Sequence, residues 1–425
     1  MGERLYYADS FLTAFDARVA DIREVLRAAG QTLWKIALDR TAFYPASGGQ
    51  PCDHGTLFAT SRSGATLEVP IEDVDEDEHG EVWHYTSKPL AAGTGVSALI
   101  DWGRRFDHMQ QHSAQHLLSA AFSRELAAHT VSFHLGELSS TIDLAIDSLA
   151  TASVERIERL ANELVAEDRA ITVRHVEREE ANALMAAGRL RKLPEREGPI
   201  RLVEIADYDL NACGGTHLRS TGQIGALLLR STERVRQGVR VEFVAGLRAV
   251  AAARRDSGLL TRAAAALSIG RADVPEAIER LVAEVKASVK ERQRLRHELA
   301  EYHSTQLVVE EMIEDHLRVI RRVYTDRDPE YVKLLATQVV ATAAQTVAVL
   351  ASLQQDSGFV VMSRSRDLDF SCGDLLKEAM AGLGLRAGGS ADLAQGQAPR
   401  ASLDALLMSL EAGVRAAQQR SQPAK

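Results

Sequence analysis

Four side chains in this sequence have the types and the spacing to hold a single cation. His112 and His116 lie four residues apart in the stretch Arg105-Phe-Asp-His-Met-Gln-Gln-His-Ser-Ala-Gln-His-Leu-Leu-Ser-Ala-Ala-Phe122. On a helix that spacing puts both imidazoles on one face, one turn apart. Further along, Cys213 and His217 bracket two glycines in Asn211-Ala-Cys-Gly-Gly-Thr-His217. Glycine tolerates the positive φ values that would fold a thiolate and an imidazole toward one point. Three nitrogens and a sulfur make a borderline-soft tetrahedral set, and zinc is the cation that suits it. A histidine pair alone is often an exposed or satisfied face; two such pairs with the same spacing are a stronger signal. His108 extends the row by another turn, but beside Asp107 it reads as part of a polar helix start and stays outside the ligand set.

These ligands need a helix and a strand-end turn to hold them, and the flanking sequence supplies both. Residues 91–248 read as a mixed α/β unit. The histidine helix is followed by a strand pattern at Ser139–Ile146 and an amphipathic helix at Val154–Ala166, with Ile157, Leu160 and Leu164 on one stripe. A strand over Ile200–Ala206 delivers the chain to Cys213, and strands at Ile224–Leu229 and Val239–Val244 follow. Residues 1–90 read as β-rich, with segments such as Thr32–Leu38 and Thr66–Ile71 separated by turn residues. The acidic run Glu72–His79 is a solvated loop, and His79 is a bystander in it.

Residues 249–325 are expected to form a helical arm. Ile278, Leu281, Val285, Val289, Leu295, Leu299 and Tyr302 recur at close to heptad spacing, interrupted by Arg292. Residues 326–425 read as a small α/β domain. Its helices start near Glu330, after Cys372 and at Ser402, and its strands lie at Gln345–Leu350 and Gly358–Ser363. Between them, Gly388–Gly396 is a glycine-rich loop of the kind that can cradle phosphate through backbone N–H groups, though a plain connection would look the same. The expected class is α+β: an N-terminal β-barrel-like domain, a metal-binding α/β domain, a coiled-coil arm and a C-terminal α/β domain.

Composition narrows the setting. The chain has 425 residues, 45% of them hydrophobic and 5% aromatic, and a formal net charge of −9. It holds no apolar run near the length of a membrane span and no signal segment at Met1. Three separated cysteines, Cys52, Cys213 and Cys372, argue for a reducing compartment, and the expected localisation is cytoplasmic. The net charge announces no nucleic-acid partner globally. Local clusters do exist: Arg189, Arg191, Lys192 and Arg196 before the metal turn, and Arg230, Arg234, Arg236 and Arg240 after it.

Three stretches together resemble the alanyl-tRNA editing family, comprising the editing domain of alanyl-tRNA synthetase and the free-standing AlaX proteins. They are Thr41-Ala-Phe-Tyr-Pro-Ala-Ser-Gly-Gly-Gln50, Arg105 to Leu118, and Asp209-Leu-Asn-Ala-Cys-Gly-Gly-Thr-His217. The resemblance covers residues 1–248 and extends more loosely to the C-terminus, as in the long form of AlaX. About a hundred residues precede the metal helix in this sequence, which is expected to be too few for a class II aminoacylation domain. The resemblance implies an esterase acting in trans on tRNA(Ala) wrongly charged with serine or glycine. By position it makes His112, His116, Cys213 and His217 zinc ligands. Thr41 matches the threonine whose hydroxyl distinguishes serine from alanine, and Gln50 would line the same pocket. The terminal glycine loop, with Gly388 and Gly389, would touch tRNA beside Arg234 and Arg236. Ser113 and Gln115 depart from the threonine that many synthetases carry, and are read as non-ligating. The loop is shorter than the synthetase's, so dimerisation through the arm or the C-terminal domain is the competing use of that region.

Four protein ligands is the count of a closed site. The reading favoured is therefore that the ion grips and positions the tRNA terminus. Two other functions fit the same residues: a tRNA- or nucleotide-binding module with a purely structural zinc, and a metal hydrolase acting on a small ester or amide.

Overall fold

The computed structural model describes residues 2–26, 32–61, 64–194 and 198–421, in a mixed α/β architecture of several sheets and helices. It divides into two units, Met1–Ala266 and Leu267–Lys425.

The first unit begins with a seven-stranded sheet. Its order is Thr66–Ile71, Gly55–Thr60, Gly95–Ile100, Ala14–Leu26, Thr32–Leu38, Val82–Thr86, Asp73–Glu76. Gly95–Ile100 shows the logic: its residues alternate exposed and buried, and Val96, Ala98 and Ile100 enter a core with Ile36, Leu57 and Val69. Ala14–Leu26 pairs with Gly95–Ile100 along its first part and with Thr32–Leu38 along its second, with an irregular register between Val19 and Asp21. Among the described residues no ladder joins the outer strands Thr66–Ile71 and Asp73–Glu76, so the barrel-like form expected from the sequence is not closed by hydrogen bonds. The acidic run expected as a loop contains one of these strands, Asp73–Glu76, with Val74 buried beneath it.

The helix Trp102–Leu126 is the centre of the unit. The Asp101 carboxylate caps it, accepting from the Arg104 N–H at 3.2 Å, and Ala127 ends it with a left-handed φ of 50°. Every residue from His108 to Phe122 is buried. That explains why the sequence shows no simple apolar stripe: the helix is enclosed on all sides. Most of its buried polar groups are satisfied individually, with His108 Nδ1 and Gln115 Oε1 as exceptions. Gln111 donates to the Ala245 carbonyl at 3.0 Å and accepts from the Ala245 N–H at 2.9 Å, so a side chain imitates a neighbouring strand.

Around this helix lie the helix Thr151–Ala166 and a four-stranded sheet ordered Thr130–Leu135, Ser140–Leu144, Gly238–Ala245, Leu227–Val235. Ile224, expected at a strand start, instead ends a short 3-10 turn. A three-stranded sheet, Ile171–Val176, Ile200–Ile205 and Asp209–Ala212, brings the chain to Cys213.

One buried clamp ties the stretch containing Thr41 and Gln50 to the helix. The Arg105 guanidinium is fully buried. It donates to the Asp53 carboxylate, to the Ser10 carbonyl at 2.8 Å and to the Ala42 carbonyl at 2.5 Å. Asp53 in turn accepts from the Tyr44 N–H at 2.6 Å.

The second unit holds the helix Val274–Glu310 and a five-stranded sheet. Its order is Arg318–Tyr324, Thr346–Leu353, Ser357–Arg364, Leu393–Pro399, Ala387–Gly389. Thr346–Leu353 is buried on both faces: Val347 and Val349 pack with Leu376 and Leu406, while Ala348 and Leu350 pack with Val332 and Leu335. Such a strand reads as a continuous apolar run. Ile278, Leu281, Val285, Val289, Leu295, Leu299 and Tyr302 on the long helix are solvent-exposed. The glycine-rich stretch is no open loop but a β-hairpin in which Gly388 faces Gln395 and Gly389 faces Ala394. Ala387–Gly389 is the edge strand of the sheet, so the backbone groups turned toward Leu393–Pro399 are engaged, which takes that side away from the phosphate cradle expected of a loop.

Candidate metal centre

The fold brings His112, His116, Cys213 and His217 together, with one donor atom from each lying within 4.8 Å of all the others. The two histidines of the helix face the turn that follows Asp209–Ala212. Cys213 Sγ is 3.5 Å from His112 Nε2 and 3.3 Å from His217 Nε2. Zinc bonds of about 2.0–2.3 Å in tetrahedral geometry imply donor separations of about 3.5 Å, so the set fits zinc. The three histidines are buried and Cys213 is half-buried, and burial holds the imidazoles far below their ordinary range, His116 at about 3. Neutral imidazole is the form that ligates. Burial also raises the Cys213 thiol, opposed by its Gly215 N–H and by Arg201; a bound cation would shift that balance toward thiolate.

Each imidazole is aimed by an outer partner. His112 Nδ1–H donates to Gln50 Oε1 at 2.8 Å, which turns Nε2 toward the thiol. Gln50 is fixed in turn: its amide donates to Thr216 Oγ1 at 2.8 Å, and its carbonyl oxygen accepts from the Thr216 N–H at 3.2 Å. His217 Nδ1 lies 3.2 Å from Ser113 Oγ, which also accepts from the Leu218 N–H. His116 Nδ1 is 3.3 Å from Asn211 Nδ2 and 3.9 Å from the Asp209 carboxylate. Arg201 holds the turn from below, donating to the carbonyls of Cys213 at 2.8 Å and Gly215 at 2.9 Å.

The Gly-Gly pair does not work as the sequence suggested. Neither Gly214 nor Gly215 has a positive φ. Gly215 is required by close approach instead: a Cβ there would lie 2.2 Å from His112 Cε1 and 2.9 Å from Gln50 Oε1.

The centre opens into a cavity of about 430 Å³ whose lining includes His112, His116 and Cys213. Gln50 is 2% exposed and stands behind His112 as an orienting group, outside that lining. Thr41 is also outside it. Its hydroxyl donates to His84 Nε2 at 2.8 Å and accepts from the Phe43 N–H at 3.1 Å, inside the core of the N-terminal sheet. His84 is an acceptor because its Nδ1–H serves the Ile36 carbonyl and burial holds its pKa at about 4. Polar groups that do line the pocket include Ser47, Ser132 and Asn211 and, linked to one another, Gln115, Ser119 and Thr130. Gln115 Nε2 donates to Ser119 Oγ at 2.8 Å, Thr130 Oγ1 donates to the same oxygen at 2.7 Å, and Gln115 Oε1 is buried with no partner. Sequence reasoning set Gln115 aside; the available signal was a polar residue directly before a ligand on the ligand face.

Elsewhere, His108 is buried with its Nδ1 unpartnered and does not join the four ligands. Arg234 and Arg236 are exposed at the turn between Leu227–Val235 and Gly238–Ala245, beside a cavity of about 310 Å³. Arg230 and Arg240 are engaged by Asp256 and Asp143. Arg196 lies outside the described residues. No helix among those residues is long and apolar enough to cross a membrane.

Residues 200–241, which include the metal turn, match the family model described as the threonyl and alanyl tRNA synthetase second additional domain. The alanyl-tRNA editing protein AlaX-L of Pyrococcus horikoshii is 29% identical over 93% of this chain and 95% of its own length. The alanine–tRNA ligase of Halorubrum lacusprofundi is 34% identical over 96% of this chain and 43% of the ligase. By these matches the chain is similar to an alanyl-tRNA editing protein along nearly its whole length and to alanine–tRNA ligases along part of theirs. It spans about two-fifths of the length of the ligases it matches, that of Pyrococcus abyssi included, at 32% identity over 41% of the ligase. For a chain with that likeness, a buried histidine and cysteine cluster opening on a pocket is the place to look for chemistry.

Proposed function

We propose that the chain is a trans-acting, zinc-dependent deacylase that hydrolyses serine, and also glycine, from mischarged tRNA(Ala). The observation that carries this reading is the cluster of His112, His116, Cys213 and His217, three of whose members, His112, His116 and Cys213, line the 430 Å³ pocket. A zinc ion held there supplies Lewis-acid polarisation and a fixed point for the ribose end of the ester. The chain's own residues do the rest. Gln50 and Ser113 hold His112 and His217 in the tautomers that aim Nε2 inward. Arg201 keeps the Cys213 turn in register. Gln115 Oε1 offers an acceptor to a serine hydroxyl, whereas an alanine methyl leaves it unpaired, which costs about 1–3 kcal/mol. Thr41 supports the discriminating pocket at a distance, through the core packing of the stretch that also bears Gln50.

Within the two units we propose the finer layout read from the sequence: a barrel-like part over 1–90, the metal-binding part over 91–248, the arm over 249–325 and the C-terminal part over 326–425. One correction applies: the expected helical arm ends at Glu310, and Arg318–Tyr324 is a strand of the five-stranded sheet. The exposed stripe of Val274–Glu310 is the proposed dimer contact. Arg234, Arg236, Gly388 and Gly389 are proposed tRNA contacts, and the protein acts in the cytoplasm.

The presence of four protein donors favours a second reading, a structural zinc in a tRNA-binding module. Deacylation of seryl-tRNA(Ala) measured before and after chelation, with tRNA binding followed in parallel, decides between them. Turnover that disappears with the metal and returns with zinc supports the deacylase. Tight tRNA binding without turnover leaves the binding module.

A further inference from the structure

A second cavity, of about 520 Å³, adjoins the metal pocket along the same helix. The metal pocket takes Gln115, His116 and Ser119 from the helix and Thr130 from the next strand. The second takes Ser123 and Arg124 from the following turn and His129 from just before that strand. Arg191 lines both, and its ion pair with Asp209 at 2.6 Å forms part of the partition between them. One helical turn is a displacement of about 5.4 Å, a step comparable to that between neighbouring nucleotides of an unstacked strand.

The lining favours a polar ligand with both donors and acceptors. Arg189 and Arg191 are paired with Glu204 and Asp209. Arg124 differs: its guanidinium donates to the Tyr208 carbonyl, and no carboxylate pairs with it among the described residues. Ser123 Oγ and His129 Nδ1 lie 3.1 Å apart at the same rim. A guanidinium with no carboxylate in ion-pair contact, beside hydroxyl and imidazole groups, suits a phosphodiester, while the flanking arginines and the carboxylates of Glu204, Asp207 and Asp209 suit a base edge. The volume lies within the roughly 300–1,000 Å³ of small-molecule sites.

We propose that this cavity receives the nucleotide preceding the terminal, ester-bearing nucleoside, with its phosphate on Arg124. The placement of the terminal nucleoside in the metal pocket rests on the deacylase reading.

The test is equilibrium binding of uncharged adenosine, the dinucleotide CA and the trinucleotide CCA to the zinc-loaded full chain. In the wild type the dinucleotide binds about tenfold more tightly than adenosine. In Arg124→Ala that ratio falls to within about twofold, Arg124→Lys recovers part of it, and zinc content stays at the wild-type value. A wild-type ratio near one, a ratio unchanged in Arg124→Ala, or no binding of any of the three overturns the subsite. Seryl-tRNA deacylation is scored separately. Loss of that activity reading with the binding ratios intact removes the deacylase and leaves a nucleotide subsite.

Discussion

Two buried polar centres lie on the helix Trp102–Leu126, and they are built to opposite ends. At its start, Arg105 and Asp53 are both wholly buried and complete each other, with the carbonyls of Ser10 and Ala42 taking the remaining guanidinium donors. Two turns on, His112 and His116 meet Cys213 and His217, a set with lone pairs in excess and no carboxylate among the four donors. The first centre satisfies itself and can only hold structure together. The second has the outer nitrogens of His112 and His217 held by neighbours and its inner donors converging, an arrangement that gains most from a cation. The comparison teaches that burial of polar groups does not by itself mark a site. What marks one is a set that its own neighbours cannot complete.

The largest expected effect breaks the second centre. Cys213→Ala or His116→Ala loses zinc and deacylation together, by about a thousandfold or more in metal affinity, because a closed tetrahedral set tolerates no missing donor. Metal analysis alongside turnover checks this, and a Cys213→Ala protein with full zinc would end the four-ligand assignment. Breaking the first centre should act on folding instead. Arg105→Ala leaves Asp53 buried and unpaired, and denaturant unfolding should show a loss of about 3–5 kcal/mol. The fraction that folds should still bind zinc.

Smaller changes sharpen the contrast. Gln50→Ala keeps all four ligands but frees His112 to rotate, so metal affinity, measured by competition with a chelator, should drop about 10–100-fold. Gln115→Met removes the unpartnered acceptor from the pocket wall. It should reduce the ratio of kcat/KM for seryl-tRNA over alanyl-tRNA by about 1–3 kcal/mol, with zinc content unchanged. The smallest effect on that ratio belongs to Thr41→Val, within about twofold, although the lost bond to His84 should lower stability by about 1–3 kcal/mol. A collapsed ratio in Thr41→Val would return the discriminating role to Thr41.

The sequence by itself determined what depends on local spacing. Histidines four apart must share a helix face, and a cysteine and histidine around Gly-Gly must lie close in space, so the two candidate pairs were readable before any fold, and the tertiary structure brings them together. The β-rich start and the two-sided apolar strand Thr346–Leu353 were readable for the same reason, since periodicity reports which faces are covered. The tertiary structure alone decided what depends on partners distant along the chain. Thr41 and Gln50 belong to one ten-residue stretch, yet the clamp from Arg105 turns the chain so that one hydroxyl is held by His84 and one amide reaches His112. Gly215 proved necessary because an imidazole from another element fills the space of its missing Cβ, not because of its own φ. Gln115 gained its free acceptor because Ser119 Oγ, itself held by Thr130, takes up its amide nitrogen. Each of these outcomes turns on which neighbour arrives from another part of the chain, and no spacing within a single stretch carries that information.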